Sequence, residues 1–399
     1  MKQYRDDFLI FDQKVHGHPF IYLDSASTSQ KPHQVIDAEV SFYETYCANV
    51  GRGIYKFAES ATYKYEQARH RAAQYFNVSA LEIIFTQGAT QGINLIMQSW
   101  AKNHLHLGDE IVISDLEHHS NLVPWQQLVE AYGVRLIIAP TNDQGVITPE
   151  ILRRYLSSRV KLVALFHTSN VMGSTNDIEQ LTKLAHERGA KVLVDACQSA
   201  AQQRIDIKKL DCDFFVCSGH KMLGSTGAGI LFVKSSLYSE LKPYQFGGGM
   251  VLHAGYEHTT YKQPPYCFEA GTPPIAQVIG FGQALEYLSE VDFDAYRDHA
   301  RQLIEMVYAY LKTVDHVKIM SAANSSHIAS FYSTKYHAHD IAAYLDQFGI
   351  AVRAGNHCAQ PYHDKKGILA SVRISVYLYT SLEDIKICIA RLDELFKQQ

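Results

Sequence analysis

Seven short apolar runs are separated by longer stretches of helical period in the first 233 residues of the chain. The runs are almost continuously hydrophobic instead of alternating with polar residues, which is typical of strands that are buried on both faces. They are EIIFT (82–86), DEIVIS (109–114), VRLIIA (134–139), VKLVALFH (160–167), AKVLVDA (190–196), DFFVCS (213–218) and GILFV (229–233). Because these strands alternate with helices, the pattern predicts an α/β fold with a mainly parallel sheet of seven strands.

The pattern changes at about residue 284, where long helical stretches alternate with short strands. We predict an N-terminal segment (1–20) that packs with the small domain, a large domain (21–283) and a smaller α+β C-terminal domain (284–399). Helices are predicted over 91–101, 121–132, 149–156, 178–188, 284–311, 339–348 and 382–396, with late strands over 350–353 and 371–376. The segment 247–274 is rich in Gly, Pro and Tyr, which predicts an extended loop or a hairpin.

Composition and charge exclude several classes of protein. The net charge is −4 without any run of like charges, so we expect binding to neither nucleic acid nor a membrane surface. The first residues, MKQYRDDFLIFDQK, lack the apolar stretch of a signal peptide, and no run of 18 apolar residues predicts a transmembrane helix. The seven cysteines are scattered and form no CxxC pair, which predicts no disulfide framework, no metal site and a reducing, cytoplasmic location.

Small and polar residues follow the strands of the predicted sheet, at the edge where ligands bind in such folds. After the first run, Gly88, Ala89 and Thr90 open a helix, and the free N–H groups of a helix start can hold an anion. The later runs deliver His118, Asn170, Asp195, Gln198, Ser218, His220 and Lys221 to the same edge. Taken singly, these residues have ordinary interpretations: helix caps, a hydrogen-bonded histidine and a solvated loop lysine.

Their common position at one sheet edge favours a cofactor site. A lysine that forms a Schiff base, a carboxylate that keeps a pyridine nitrogen protonated and a phosphate cradle are the needs of pyridoxal phosphate, PLP. The two common nucleotide motifs do not compete, because GxxxxGK[ST] is absent and no GxGxxG follows the first strand.

At this level of detail the chain resembles the group II cysteine desulfurases (SufS/CsdA-like), which are class V aminotransferase-fold enzymes. The resemblance covers nearly the whole chain, and it implies the PLP-dependent transferase fold of type I. It is carried by YLDSAST (22–28), QGATQGIN (87–94), EHHSNLVPW (117–125), SNVMGS (169–174), VDACQSA (194–200), SGHKMLGSTG (218–227), EAGTP (269–273) and RAGNHCAQP (353–361). Departures from the family pattern fall at Gly51, Ser225, Pro274 and Thr380, where the family usually has His, Pro, Asn and Asn.

The resemblance implies a role for each matching residue. Lys221 would hold PLP as a Schiff base, Asp195 would pair with the pyridine nitrogen, Gln198 would bond the phenolic oxygen and His118 would stack on the ring. Ala89, Thr90, Ser218 and His220 would form the phosphate site, completed by Thr272 from the partner subunit of a homodimer. Asn170 and Arg373 would hold the substrate carboxylate, with Arg353 near the substrate. Cys358 would accept the sulfur.

The implied reaction converts L-cysteine to L-alanine and leaves a persulfide on Cys358. The sulfur then passes to a SufE-like acceptor protein for iron–sulfur cluster assembly or other sulfur trafficking. Alternatives with the same fold are a selenocysteine lyase, a cysteine sulfinate desulfinase or another class V aminotransferase, and Cys358 argues against a transaminase. A non-catalytic scaffold is a third possibility, which Lys221 and Asp195 disfavour.

Overall fold

The computed structural model describes residues 4–325 and 327–397. The strands in chain order are β1 (Lys14–Val15), β2 (His18–Pro19), β3 (Ile21–Tyr22), β4 (Ile83–Thr86), β5 (Glu110–Ser114), β6 (Arg135–Ala139), β7 (Val160–Phe166), β8 (Lys191–Asp195), β9 (Phe214–Ser218), β10 (Gly229–Val233), β11 (Val251–Ala254), β12 (Thr259–Tyr261), β13 (Val317–Ile319), β14 (Ile328–Ser333), β15 (Ile350–Ala351), β16 (Arg353–Gly355) and β17 (Ser371–Ser375).

The helices in chain order are α1 (His33–Thr45), α2 (Lys56–Phe76), α3 (Ala89–Ile96), α4 (Lys102–His104), α5 (Val123–Tyr132), α6 (Pro149–Tyr155), α7 (Ile178–His186), α8 (Ser199–Gln202), α9 (Ile207–Leu210), α10 (Ile275–Ser289), α11 (Phe293–Leu311), α12 (Ala338–Asp346), α13 (Gln360–Lys366) and α14 (Leu382–Lys397). A π-helical turn, Met97–Ala101, joins α3 to α4. None of the helices in the described ranges has the length and apolar character needed to cross a bilayer.

The seven apolar runs form one sheet, which confirms the prediction. Its strand order is β4-β10-β9-β8-β7-β5-β6. Strand β10 is antiparallel to both of its neighbours, β4 and β9, and the other pairs are parallel. The carboxyl ends of β4, β5, β7, β8 and β9 therefore meet at one edge of the sheet. We call this the strand-end edge.

Both faces of the sheet are buried, as the continuous apolar runs indicate. In β9, Phe215 and Cys217 belong to one hydrophobic core, whereas Phe214 and Val216 belong to a second. Successive side chains of a strand point to opposite faces, so the two cores lie on the two sides of the sheet. Helices α1, α2 and α10 pack together on the side of the first core.

The C-terminal part contains a second, antiparallel sheet of order β13-β14-β17-β16, with α11, α12 and α14 packed around it. The N-terminal residues contact this part: β3 pairs with β15, Arg5 forms an ion pair with Asp384 at 2.8 Å, and the Phe8 ring lies 4.8 Å from the Tyr379 ring. The boundaries at residues 20 and 283 stay predictions, and residues 1–3 and 398–399 lie outside the described ranges.

Two features of the helices differ from the sequence prediction. The single helix predicted over 284–311 is wrong, because the chain forms α10 and α11 with a break between them. Asp292 is the last residue before α11. Its carboxylate accepts hydrogen bonds from the N–H groups of Asp294 and Ala295 and so caps the helix. The helices α1 and α2 were not predicted. The segment 247–274 does form a hairpin, from β11 and β12.

Candidate active site

A cavity of about 200 Å³ lies at the strand-end edge. Twelve of the thirteen predicted site residues line it: Ala89, Thr90, His118, Asn170, Asp195, Gln198, Ser218, His220, Lys221, Arg353, Cys358 and Arg373. The structure adds seven residues that were not among the predicted site residues: Ala26, Ser27, Ser120, Phe166, Thr168, Cys197 and His357. Most of these seven lie inside the motifs quoted above. The motifs therefore indicated that these residues lie near the site, but did not predict their contacts.

The thirteenth residue, Thr272, is exposed outside the cavity. Its hydroxyl accepts a hydrogen bond from the Asn49 amide at 3.5 Å. It lies near Gly271, whose N–H donates to the Gly248 carbonyl at the base of the β11–β12 hairpin. In the described chain, Thr272 therefore does not line the cavity.

Lys221 and Asp195 both line the cavity. Lys221 lies in a short 3-10 turn directly after β9, and Asp195 is the last residue of β8. One oxygen of Asp195 accepts the Cys197 N–H at 3.0 Å. In the described part of the chain, the Lys221 amine has no hydrogen-bond partner, and no further N–H or hydroxyl group donates to Asp195, so both side chains are available to a bound molecule.

His118 caps a 3-10 turn that follows β5, and it is neutral. Burial, with the nearby Lys221 charge, lowers the pKa of His118 to about 4. Its Nδ1 accepts the Ser120 N–H at 3.1 Å. Because a backbone N–H can only donate, the proton of the neutral ring sits on Nε2.

Glu117 is buried and bonds this turn through Asn121. Its carboxylate accepts the Ser114 hydroxyl (2.6 Å), the Asn121 amide (2.8 Å) and the Phe166 N–H (3.1 Å). Burial nevertheless raises the pKa of Glu117 to about 8, against the lowering effect of these three bonds. The buried carboxyl group thus links β5 and β7 by hydrogen bonds, and it does not line the cavity.

The start of α3 lines the cavity through Ala89 and Thr90. Gly88 has φ +145, and a Cβ at this position would lie 3.1 Å from the Ser218 hydroxyl oxygen. That hydroxyl accepts the Ala89 N–H at 2.9 Å, and the Thr90 and Ser120 hydroxyls are 2.7 Å apart. Hydroxyl groups at the positive end of a helix dipole suit an anion such as a phosphate.

Cys197 and His220 also line the cavity, near Ser218. The Cys197 sulfur lies 3.6 Å from the Ser218 oxygen, and burial raises the thiol pKa to about 12, so Cys197 stays protonated. Burial also lowers the pKa of His220 to about 4, with the charges of Lys221 and Lys31 acting in the same direction. His220 is therefore a neutral hydrogen-bonding group.

Two arginines face the cavity from the small domain. The Arg373 guanidinium donates to the Asn170 carbonyl (2.8 Å), the Ser27 hydroxyl (2.8 Å) and an Asp24 oxygen (3.2 Å). Its Nε is buried without a partner in the described chain. The other Asp24 oxygen lies 3.9 Å from Arg353. Asp24 thus holds both arginines at the same wall.

Cys358 lies in a short loop (356–359) between β16 and α13, which we call the cysteine loop. His357 and Cys358 both have positive φ, +52 and +57. The loop is held by the Asn170 amide, which donates to the His357 carbonyl at 2.6 Å, and by the His357 Nε2, which lies 2.9 Å from the Ser371 hydroxyl. These contacts keep the thiol at the cavity.

The fold and the strand-end edge together define a class of protein. Residues 21–388 match the family aminotransferase class V, and the chain belongs to this family. It is 40% identical over 395 residues to cysteine desulfurases of Shigella flexneri and of Escherichia coli strain K12, which covers 98% of this chain and 97% of each relative.

Solved structures of cysteine desulfurases have the same fold. The apo enzyme of Thermococcus onnurineus NA1 is 33% identical and superposes with a TM-score of 0.94, covering 99% of this chain and 98% of that one. The Escherichia coli enzyme CsdA, in its S-sulfonic acid form, is 34% identical with a TM-score of 0.91, covering 98% of this chain and 97% of that one.

The family is PLP-dependent, and the residues of this chain fit that cofactor. The Lys221 amine and the free Asp195 oxygen would hold its aldehyde carbon and its ring nitrogen. The glycine at 88 leaves room at the start of α3 for a phosphate, beside the hydroxyls of Thr90 and Ser218. This set combines the amine, carboxylate and anion site that PLP requires.

Proposed function

We propose that this protein is a PLP-dependent cysteine desulfurase. It breaks the C–S bond of L-cysteine, forms a C–H bond at that carbon to give L-alanine, and joins the sulfur to Cys358 as a persulfide. The observation that carries the proposal is the presence of the Cys358 thiol in the same cavity as Lys221 and Asp195. A transaminase has no use for a thiol in that place.

PLP, when bound, supplies an electron sink for bond changes at the substrate Cα. Lys221 would carry the cofactor through Nζ and, once its amine is free, take the Cα proton. Asp195 would accept a hydrogen bond from the ring nitrogen and favour its protonated form. The neutral His118 would stack on the ring without adding a second positive charge beside Lys221.

The substrate carboxylate would bind at Arg373 and Asn170, with Arg353 nearby. A planar guanidinium suits a carboxylate, and the Arg373 Nε has no partner among the described residues. Asp24 accepts a hydrogen bond from this guanidinium and fixes its plane. Gln198 donates to the Ala26 carbonyl at 2.8 Å with one amide hydrogen, which leaves a second for the cofactor's phenolic oxygen.

Cys358 would attack the substrate sulfur as a thiolate. Thiolates are favoured near cationic groups, and both Arg353 and Arg373 line the same cavity. The short loop limits how far the thiol can travel, so the next sulfur acceptor has to come to the site. We propose a SufE-like protein as that acceptor, with iron–sulfur cluster assembly or other sulfur trafficking as its purpose.

We also propose that the working form is a homodimer in the cytoplasm. Large apolar side chains are exposed around Thr272, on the 46–64 segment and the β11–β12 hairpin: Ile54, Phe57, Tyr63, Leu252 and Tyr256. Arg52 donates to the Val251 carbonyl and joins these two segments. An apolar patch of this kind favours a subunit interface, across which Thr272 would reach the partner's phosphate site. All seven cysteines are free, which suits a reducing compartment.

The test is a product measurement on the purified, PLP-loaded protein. With L-cysteine and a thiol reductant, we expect alanine and sulfide in equal amounts. Selenocysteine and cysteine sulfinate serve as rival substrates, and a 2-oxo acid added as amino acceptor tests transamination. Formation of a transamination product from cysteine in place of alanine would contradict the proposal.

A further inference from the structure

The backbone of the cysteine loop needs an external support. His357 and Cys358 are consecutive non-glycine residues in the left-handed region, with φ +52 and +57. A side chain in this region crowds its own backbone, and such conformations persist only where the surrounding contacts hold them. The position of the Cys358 sulfur therefore depends on groups outside the loop.

His119 supplies two such contacts. Its backbone N–H donates to the Cys358 carbonyl at 2.8 Å, and its ring Nε2 accepts the Gln360 N–H at 3.2 Å. Because the backbone N–H of Gln360 can only donate, the accepting Nε2 of His119 carries no proton, and the ring proton lies on Nδ1. The two bonds hold the chain on both sides of the residue that follows the thiol.

The other supports act elsewhere in the loop. Asn170 bonds the His357 carbonyl, and Ser371 contacts the His357 ring. In the described ranges, His119 is the one residue outside the loop and α13 that bonds the backbone of residues 358–360.

The neighbour of His119 in the sequence faces the cofactor end of the cavity. His118 lines the cavity beside Lys221, and the two histidine rings lie 6.3 Å apart. Adjacent residues of one 3-10 turn thus contact both reacting parts of the site. A shift of this turn would move the thiol loop and the cofactor wall together.

We propose that His119 is a positioning residue that sets the distance between the Cys358 thiol and the substrate sulfur. The proposal rests on the function assigned above, in which Cys358 accepts that sulfur. His119 does not itself touch the substrate. It acts through the backbone of the cysteine loop, and its ring works as a hydrogen-bond acceptor.

The test compares two variants that differ in this acceptor. His119→Phe keeps the ring shape and the backbone N–H but removes the acceptor, whereas His119→Gln keeps an acceptor on a flexible side chain. The matched control is His337→Phe: the His337 Nδ1 also accepts a backbone N–H, from His339 at 3.3 Å at the start of α12, outside the cavity. His119→Leu replaces His119→Phe if the latter does not fold.

Two quantities are measured on the full-length, PLP-loaded proteins: the single-turnover rate of persulfide formation on Cys358, by mass spectrometry, and the rate of Cys358 alkylation by iodoacetamide without substrate. Misplacement of a reacting atom by about 1 Å can cost about 100-fold in rate. We expect His119→Phe to lose about 10- to 100-fold in persulfide formation and to change its alkylation rate. His119→Gln should keep both rates close to those of the wild type, and His337→Phe should leave both rates unchanged. The cofactor absorption should be the same in all variants.

Persulfide formation at the wild-type rate in His119→Phe would overturn the proposal. Equal losses in the Phe and Gln variants would also overturn it, because the acceptor would then not matter. If the wild type released sulfide without any persulfide on Cys358, the proposed function of Cys358 would fail, and this inference with it. The wild-type arm thus distinguishes the two failures.

Discussion

The strand-end edge and the cysteine loop face the same cavity, but they are built differently. At the strand-end edge, Asp195 and Lys221 follow parallel strands, so the sheet fixes their positions. The cysteine loop has positive φ at two successive residues and is held by hydrogen bonds from Asn170, His119 and Ser371. Asp195 and Lys221 are thus positioned by the topology of the sheet, and Cys358 by a few individual contacts.

The largest effect is expected at Lys221. Lys221→Ala removes both the attachment point of the cofactor and the base for the Cα proton, so turnover should fall by about 10⁴-fold or more. Borohydride reduction of the wild type, followed by peptide mapping, should find the cofactor on Lys221. Lys234→Ala, at a surface ion pair with Asp211, is the control and should stay active. A label on any other lysine would refute this assignment.

Asp195→Asn tests the other group that the sheet positions. The amide oxygen can still accept the Cys197 N–H, so the protein should fold and bind PLP. The ring nitrogen loses its carboxylate, and turnover should fall by about 10²- to 10⁴-fold. Asp206→Asn, an exposed helix cap at α9, is the matched control. Near-normal kcat in the Asp195 variant would mean that another group protonates the ring.

Ser218→Ala should have a smaller effect, on cofactor affinity. The variant loses the acceptor for the Ala89 N–H at the start of α3, where we place the phosphate. We expect the Kd for PLP to rise by about 5- to 50-fold, as for the loss of one or two hydrogen bonds. Titration of the apoprotein with PLP measures this, with Ser235→Ala as a control. An unchanged Kd would remove Ser218 from the phosphate site.

Glu117→Gln should have the smallest effect on turnover, because Glu117 lies behind the cavity wall, and its signature is in stability. The folded-state pKa of about 8 is above the unfolded value of about 4.3. Stability due to the bound proton is therefore fully present below about pH 4 and is lost as the pH rises towards 8.

The glutamine variant cannot titrate at this position. The free energy of unfolding of Glu117→Gln minus that of the wild type should therefore increase by about 2–4 kcal/mol between pH 5 and pH 8. Urea unfolding at several pH values measures the difference, with the exposed Glu187→Gln as control. A difference that does not change with pH would show that Glu117 is ionised throughout this range.

The two regions also differ in how far the sequence could predict them. The seven apolar runs and the rule for ligand sites at strand ends were enough to bring Asp195, His118 and Lys221 together. No rule of periodicity or spacing describes the cysteine loop, so Cys358 could be predicted mainly through the family resemblance, with its small and polar neighbours indicating only a loop. Two of the supports of that loop come from residues far away in the sequence: Asn170 bonds the His357 carbonyl across 187 positions, and His119 bonds Gln360 across 241.

The break between α10 and α11, which was not predicted, has a local cause. It depends on the Asp292 side chain, which competes with continued helix by capping the next one. The pattern of apolar residues alone continues through this point. Thr272, which we propose to act in the partner subunit of a homodimer, is a further case, because such a residue would not line the cavity of its own chain.

In the proposed reaction, Cys358 takes sulfur directly from cysteine. The most direct measurement is mass spectrometry of the PLP-loaded protein after a short pulse of L-cysteine, for the wild type, Cys358→Ala and the exposed-cysteine control Cys47→Ala. We predict one additional sulfur on Cys358 in the wild type and the control, and none on Cys197, whose high pKa keeps it a thiol. Cys358→Ala should bind PLP, lose most alanine formation from cysteine and keep more activity with selenocysteine, whose C–Se bond is weaker. Alanine formation from cysteine at the wild-type rate in Cys358→Ala would show that Cys358 is not the sulfur acceptor.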